Sequence, residues 1–114
     1  MPNPVVHFEI ISKEAKALQS FYGKTFGWKI KNMKPMDYGL VDTGASPMGG
    51  IGAPMGRGKG WVTFYVGVKS IAKTLKSIEK AGGKTIMGPM QVPNGPLIAQ
   101  FRDPAGNRIG LVQT

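Results

Sequence analysis

His7 is the only histidine in this 114-residue chain, and it stands two places before Glu9 in Val5-Val6-His7-Phe8-Glu9-Ile10. An imidazole titrates near neutrality and can hold or move a proton there, and a nearby carboxylate can orient it or share the work. The stretch alternates: Val6, Phe8 and Ile10 point to one side of a strand, and His7 and Glu9 to the other. Side chains two places apart on a strand stand about 6.6 Å apart, so an imidazole and a carboxylate can converge. His7 and Glu9 are therefore the candidate catalytic pair. The chain has no cysteine, which rules out disulfides and thiolate metal ligands.

A second stretch with chemical possibilities is Gly56-Arg57-Gly58-Lys59-Gly60. Glycines and cations can cradle a phosphate, but such a loop normally opens a helix, and here a strand-like run follows. The segment reads as a flexible linker. The formal net charge is +9, from 15 Lys and Arg against 6 Asp and Glu. A basic balance admits an anionic metabolite, an acidic surface or nucleic acid as partner. The lysines are scattered without a dense basic block, so nucleic acid is the least favoured of these. No apolar run reaches membrane-spanning length, and Met1-Pro2-Asn3-Pro4 lacks the order of a signal peptide. A soluble cytoplasmic protein without a membrane partner is expected.

Regular elements must hold these residues in place. Val5 to Ile10 is the first strand. Ser12 is a plausible N-cap, and Ala15, Leu18, Phe21 and Tyr22 give a helical stripe over about 13–26, with Phe21, Tyr22 and Phe26 expected to share a buried face. Gly27 suits a left-handed helix stop. Strands follow at Trp28 to Met33, at Tyr38 to Asp42 after a turn at Pro35 and Asp37, and at Met48 to Ala53. The pattern then restarts. Trp61 to Val68 alternates as a strand. Ser70 can cap a helix with Ile71, Leu75 and Ile78 on one face and Lys69, Lys73, Lys76 and Lys80 on a solvated one. Gly82 ends that helix, and strands are expected at Lys84 to Met87, Leu97 to Arg102 and Arg108 to Gln113. A loop spans Pro89 to Pro96, and a tight turn Asp103 to Asn107.

The order strand, helix, three strands thus occurs twice. Val6-His7-Phe8 lies on Val62-Thr63-Phe64 and Ile30 on Ile86. Later in each half, Ala45 lies on Ala105 and Gly50 on Gly110. This is a duplicated module within one α+β domain over 1–114, with halves at about 4–54 and 61–114 and a glycine-rich linker over 55–60.

Two βαβββ modules, together with Phe21-Tyr22 followed by Phe26-Gly27-Trp28 and with Phe101-Arg102-Asp103-Pro104-Ala105-Gly106-Asn107-Arg108-Ile109-Gly110-Leu111, resemble the vicinal oxygen chelate superfamily. That group includes glyoxalase I, extradiol dioxygenases and bleomycin-resistance proteins. The resemblance implies a mixed sheet curled into a cup, and often a homodimer. In metal-dependent members four positions face into the cup, and they fall here on His7, Gly50, Thr63 and Gly110. Only His7 is a ligand-type residue, whereas a usual catalytic site takes three protein ligands. No cofactor is therefore expected, a divalent metal being the alternative.

If the cup is kept, its lining should be His7, Met48, Gly50, Trp61, Thr63, Tyr65, Gln100, Arg108 and Gly110. Glycines at the floor leave space, the aromatic rings suit a flat or apolar molecule, and Arg108 suits an anion. The resemblance thus implies a metal-independent protein that binds a small aromatic or anionic molecule. A metal-dependent lyase or dioxygenase is the first alternative, and an anionic-surface or nucleic-acid binder the second.

Overall fold

A computed structural model describes residues 2–34, 38–54, 56 and 58–114. The expected turn at Pro35 and Asp37, and Met55 and Arg57 of the linker, lie outside the described residues. Two compact units divide the chain. One is His7–Val62. The other is Thr63–Thr114 together with the first residues up to Val6.

The first unit carries β1 (Val5–Ile11), α1 (Ala15–Phe26), β2 (Lys29–Met33), β3 (Tyr38–Asp42) and β4 (Met48–Gly52). Its strands run in the order β2-β3-β4-β1. The β1–β4 pair is parallel, and the other two pairs are antiparallel. Helix α1 lies over the face that presents Phe8, Ile10, Ile30, Val41 and Ile51, and it packs Ala15, Leu18 and Tyr22 there. The stripe Ala15, Leu18, Tyr22 keeps the spacing of one helix face.

Helix α1 ends at Gly27, whose φ of 70° lets its N–H bond the Gly23 carbonyl. Its start differs from expectation. Ser12 does not cap the helix; its hydroxyl accepts from the N–H of Glu14, the residue just before the first helical one. Phe21 and Phe26 also depart from the expected buried face, being 55% and 60% exposed. Tyr22 takes the core position, and Phe21, about a third of a turn round the helix, cannot share it. The two phenylalanines form an outer aromatic layer instead: Phe21 edges onto Tyr22, and Phe26 leans on Tyr22 and Trp28.

The second unit repeats the plan with β5 (Trp61–Val68, its first two residues belonging to the first unit), α2 (Ile71–Lys80), β6 (Lys84–Gln91), β7 (Leu97–Arg102) and β8 (Arg108–Gln113). Its strand order is β5-β8-β7-β6, again with one parallel pair and two antiparallel ones. Ile71 and Leu75 of α2 pack on Val68, Ala99 and Leu111. Ser70 caps α2 by accepting from the Lys73 N–H, and the Gln113 side chain accepts from the Ile71 N–H.

Strand β6 is longer than expected. It runs on through Pro89 with two register shifts, which an outermost strand tolerates because one row of its N–H groups needs no partner. The Asp103 carboxylate closes the last turn by accepting from the N–H groups of Ala105 and Asn107 and from the Asn107 side-chain amide. Those bonds, the Asn107 side chain's first, hold its pKa below the usual carboxylate value.

The register supports the duplication at residue level. Glu9 pairs with Gly50 in the first unit as Tyr65 pairs with Gly110 in the second. Leu40 pairs with Gly50 as Gln100 pairs with Gly110.

Candidate functional site

Because Phe8 and Ile10 turn to α1, the alternation of β1 sends His7, Glu9 and Ile11 to the opposite face. The register carries that face across the first unit. Met48 and Gly50 of β4 stand opposite His7 and Glu9, Leu40 of β3 opposite Gly50, and Lys31 of β2 opposite Leu40.

Tyr38 dominates this face. Its ring lies over Gly50 and Gly52, and a Cβ on Gly50 would fall within the phenol. The phenol O–H donates to Glu9 Oε1 at 3.0 Å, and Trp61 Nε1 donates to Glu9 Oε2 at 3.3 Å. Glu9 is only 7% exposed, so these bonds offset part of the cost of burying its carboxyl group. The Tyr38 oxygen is 2.9 Å from His7 Nε2. Since the phenol proton goes to Glu9, Nε2 is the donor of that pair and Nδ1 is the acceptor nitrogen of a neutral ring.

Burial pushes the His7 imidazole below its ordinary pKa of 6.5. The folded chain then takes up a proton less readily than the unfolded chain. The stability contribution of neutral His7 is complete above the unfolded value and is lost as pH falls from 6.5 towards the lower folded value. Urea melts at about pH 7.5 and about pH 5.5 should show lower stability at the acid end, with part of that loss removed in His7→Gln. An identical loss in the two proteins would mean that His7 does not cause it.

The second unit builds a matching cluster from the other expected lining residues. Tyr65 is 4% exposed, and its ring covers Gly110, where a Cβ would meet the ring carbons. Gln100 Nε2 donates to the Tyr65 hydroxyl at 2.9 Å, while Gln100 Oε1 accepts from an Arg108 guanidinium N–H at 2.6 Å. The Thr63 hydroxyl donates to the Arg108 carbonyl. The buried amide of Gln100 is thus bonded at both ends, which fixes its orientation.

The expected site residues accordingly fall into two sets. His7, Glu9, Met48, Gly50 and Trp61 share the first unit, with His7, Glu9 and Trp61 joined through Tyr38 or directly. Thr63, Tyr65, Gln100, Arg108 and Gly110 share the second. Tyr38 was missed as a site residue. The signal for it is the sequence Gly49-Gly50-Ile51-Gly52, since glycines alternating on one strand face leave a trough that a neighbouring ring must fill. Lys29, Lys31 and Leu40 were missed as well. With His7, Asp42 and Met48 they line a cavity of about 450 Å³ within the first unit.

These contacts bear on the four positions that would hold a metal. Gly50 and Gly110 bring no donor, and the space their side chains would need is taken by Tyr38 and Tyr65. The Thr63 hydroxyl faces a backbone carbonyl, and His7 Nε2 faces a phenol. Among the described residues no three His, Cys, Asp or Glu side chains gather as a metal site. This donor set does not fit a transition-metal site of the usual catalytic kind, which takes about three protein ligands.

Two βαβββ units, each carrying a parallel first–last strand pair, define an α+β protein of the glyoxalase-like fold. The chain belongs to the Glyoxalase/Bleomycin resistance protein/Dioxygenase superfamily, whose family model matches residues 5–111. No curated protein matches it significantly.

Among solved structures it is similar to a hypothetical protein from Bacillus halodurans, with a TM-score of 0.77 and 17% identity over 100% of this chain and 96% of the other. It is similar to methylmalonyl-CoA epimerase from Mycobacterium tuberculosis, with a TM-score of 0.70 and 12% identity over 96% and 86% of the two chains. It is also similar to a superfamily member from Vibrio splendidus, with a TM-score of 0.66 and 18% identity over 99% and 100%. At these identities the likeness is one of fold. Among the described residues no helix is long and apolar enough to cross a membrane.

Proposed function

We propose that this chain is a small-molecule-binding member of its superfamily that works without a metal ion. The observation that carries the proposal is the pair of tyrosines over the glycines. Tyr38 and Tyr65 fill the places where ligand side chains would project, and their hydroxyls are bonded to Glu9, His7 and Gln100. A protein so built recognises its ligand through shape, apolar walls and a few fixed polar groups. Assembly as a homodimer belongs to the same proposal and is checked by sedimentation velocity.

Elemental analysis of untagged protein, before and after incubation with Ni, Mn, Fe and Zn, tests it together with thermal melts against a panel of small aromatic and anionic compounds. No bound metal is expected, and at least one compound should raise Tm in the presence of a chelator. A stoichiometric metal that His7→Ala abolishes would overturn the metal-independent part. A panel without any Tm shift would remove the binding part.

One observation favours a second reading, that of an enzyme. A neutral imidazole joined through a phenol to a buried carboxyl group can move a proton at Nδ1 while Tyr38 and Glu9 hold the ring. That role demands turnover that His7→Ala eliminates while ligand binding persists.

A further inference from the structure

We propose that the cavity beside His7 in the first unit takes a small organic anion with an apolar body, its charge met by Lys29 and Lys31 and its body lying on Leu40 and Met48; this rests on the small-molecule-binding reading above. Strand β2 sends Ile30 to the core beneath α1, so Lys29 and Lys31 project together on the His7 face. Two such positions stand about 6.6 Å apart, a span that one carboxylate or sulfonate can bridge between two flexible ammonium groups.

The floor has the opposite character. Leu40 is 43% exposed and Met48 51%, although both belong to strands whose other face is buried. Two large apolar side chains uncovered side by side around a concavity mark a surface that gains from being covered. Methionine's pliable side chain adapts to the shape of whatever covers it.

Size and charge then narrow the occupant. About 450 Å³ falls within the range of small-molecule pockets and is far too small for a folded partner. Among the described residues of the wall Asp42 is the one acidic side chain, against two lysines, and it already accepts from the Gly44 N–H. A neutral His7 ring adds a flat surface without adding charge. The balance is cationic above an apolar floor. That favours an amphiphilic anion over a plain phosphate, which would leave the floor wet, and over a neutral hydrocarbon, which would leave the ammonium groups unused.

The test uses naphthalene-2-carboxylate, its neutral analogue naphthalene-2-methanol, and methyl NMR of the whole chain. The carboxylate should shift the Met48 and Leu40 methyl signals. The double variant Lys29→Gln/Lys31→Gln, which changes only solvated side-chain heads, should weaken it by roughly three- to thirtyfold. The neutral analogue should bind more weakly and show no response to the variant.

The proposal is overturned if the carboxylate does not bind, if it shifts signals around Tyr65 and Gln100 while Met48 and Leu40 stay still, or if the two probes bind alike. In each of those cases another compound that still raises Tm leaves the general binding function standing. If neither probe nor any panel compound binds, both readings fall.

Discussion

Replacing Tyr38 by alanine should destabilise the chain by about 2–4 kcal/mol, one of the largest effects of any single change in the first unit. Three losses combine. The ring over Gly50 and Gly52 disappears, and no side chain on those glycines can fill the space. Glu9, only 7% exposed, loses the donor to Oε1. His7 Nε2 loses its acceptor. Complete burial of a ring would put the loss near the top of the aromatic-to-alanine range, and the partial exposure of Tyr38 lowers it.

Tyr38→Phe separates the terms. It keeps the ring and removes the hydroxyl, so it should cost about 1–2 kcal/mol, for one hydrogen bond lost by the buried Glu9 carboxyl group and one by the half-buried His7 ring. Urea denaturation of the three proteins at neutral pH measures both steps. An alanine variant within about 0.5 kcal/mol of the parent would show that the ring is not a structural part of this face.

How far the sequence discloses this arrangement depends on the scale of the signal. The alternation in Val5 to Ile10 and in Trp61 to Val68, the cap at Ser70 and the glycine at position 27 are local patterns with one physical solution, and the elements follow them closely. The duplicated module is legible for the same reason, since Gly50 and Gly110 fall at matching register positions.

The departures occur where a local pattern has two solutions. Phe21 and Phe26 satisfy a helical stripe, but a sheet only a few strands wide cannot cover the whole aromatic face. Pro89 to Gln91 reads as the start of a loop after a strand over Lys84 to Met87, yet an outermost strand can run on through the proline.

The sequence shows which residues share a face but not what joins them. His7 and Glu9 do share a face, but what joins them is Tyr38, from a strand 29 positions beyond Glu9. Nothing in the spacing of β3 announces that contact. What does announce it is the void that Gly50 and Gly52 would otherwise leave. Glycines at expected ligand positions suggested a wide, open floor, whereas tyrosine rings occupy that space in each unit.

That substitution of ring for ligand side chain makes a sharp prediction about Gly50 itself. Gly50 has no backbone conformation that forbids alanine, so the cost of Gly50→Ala comes from the ring alone. The atoms in the way are the phenol oxygen and the carbons beside it, which are held by His7 and Glu9 and cannot move without breaking those bonds. Gly50→Ala should therefore cost about 3 kcal/mol, at the upper end for overpacking.

In a Tyr38→Ala background the same change has room, and it should cost almost nothing or even stabilise, because alanine restricts the unfolded chain more than glycine does. A double-mutant cycle on Tyr38 and Gly50 should then give a coupling of at least about 2 kcal/mol, with the double variant far more stable than the sum of the single changes implies. Costs that simply add would mean that the ring does not sit where a ligand side chain would project, and the case for a metal-independent member would lose its main support.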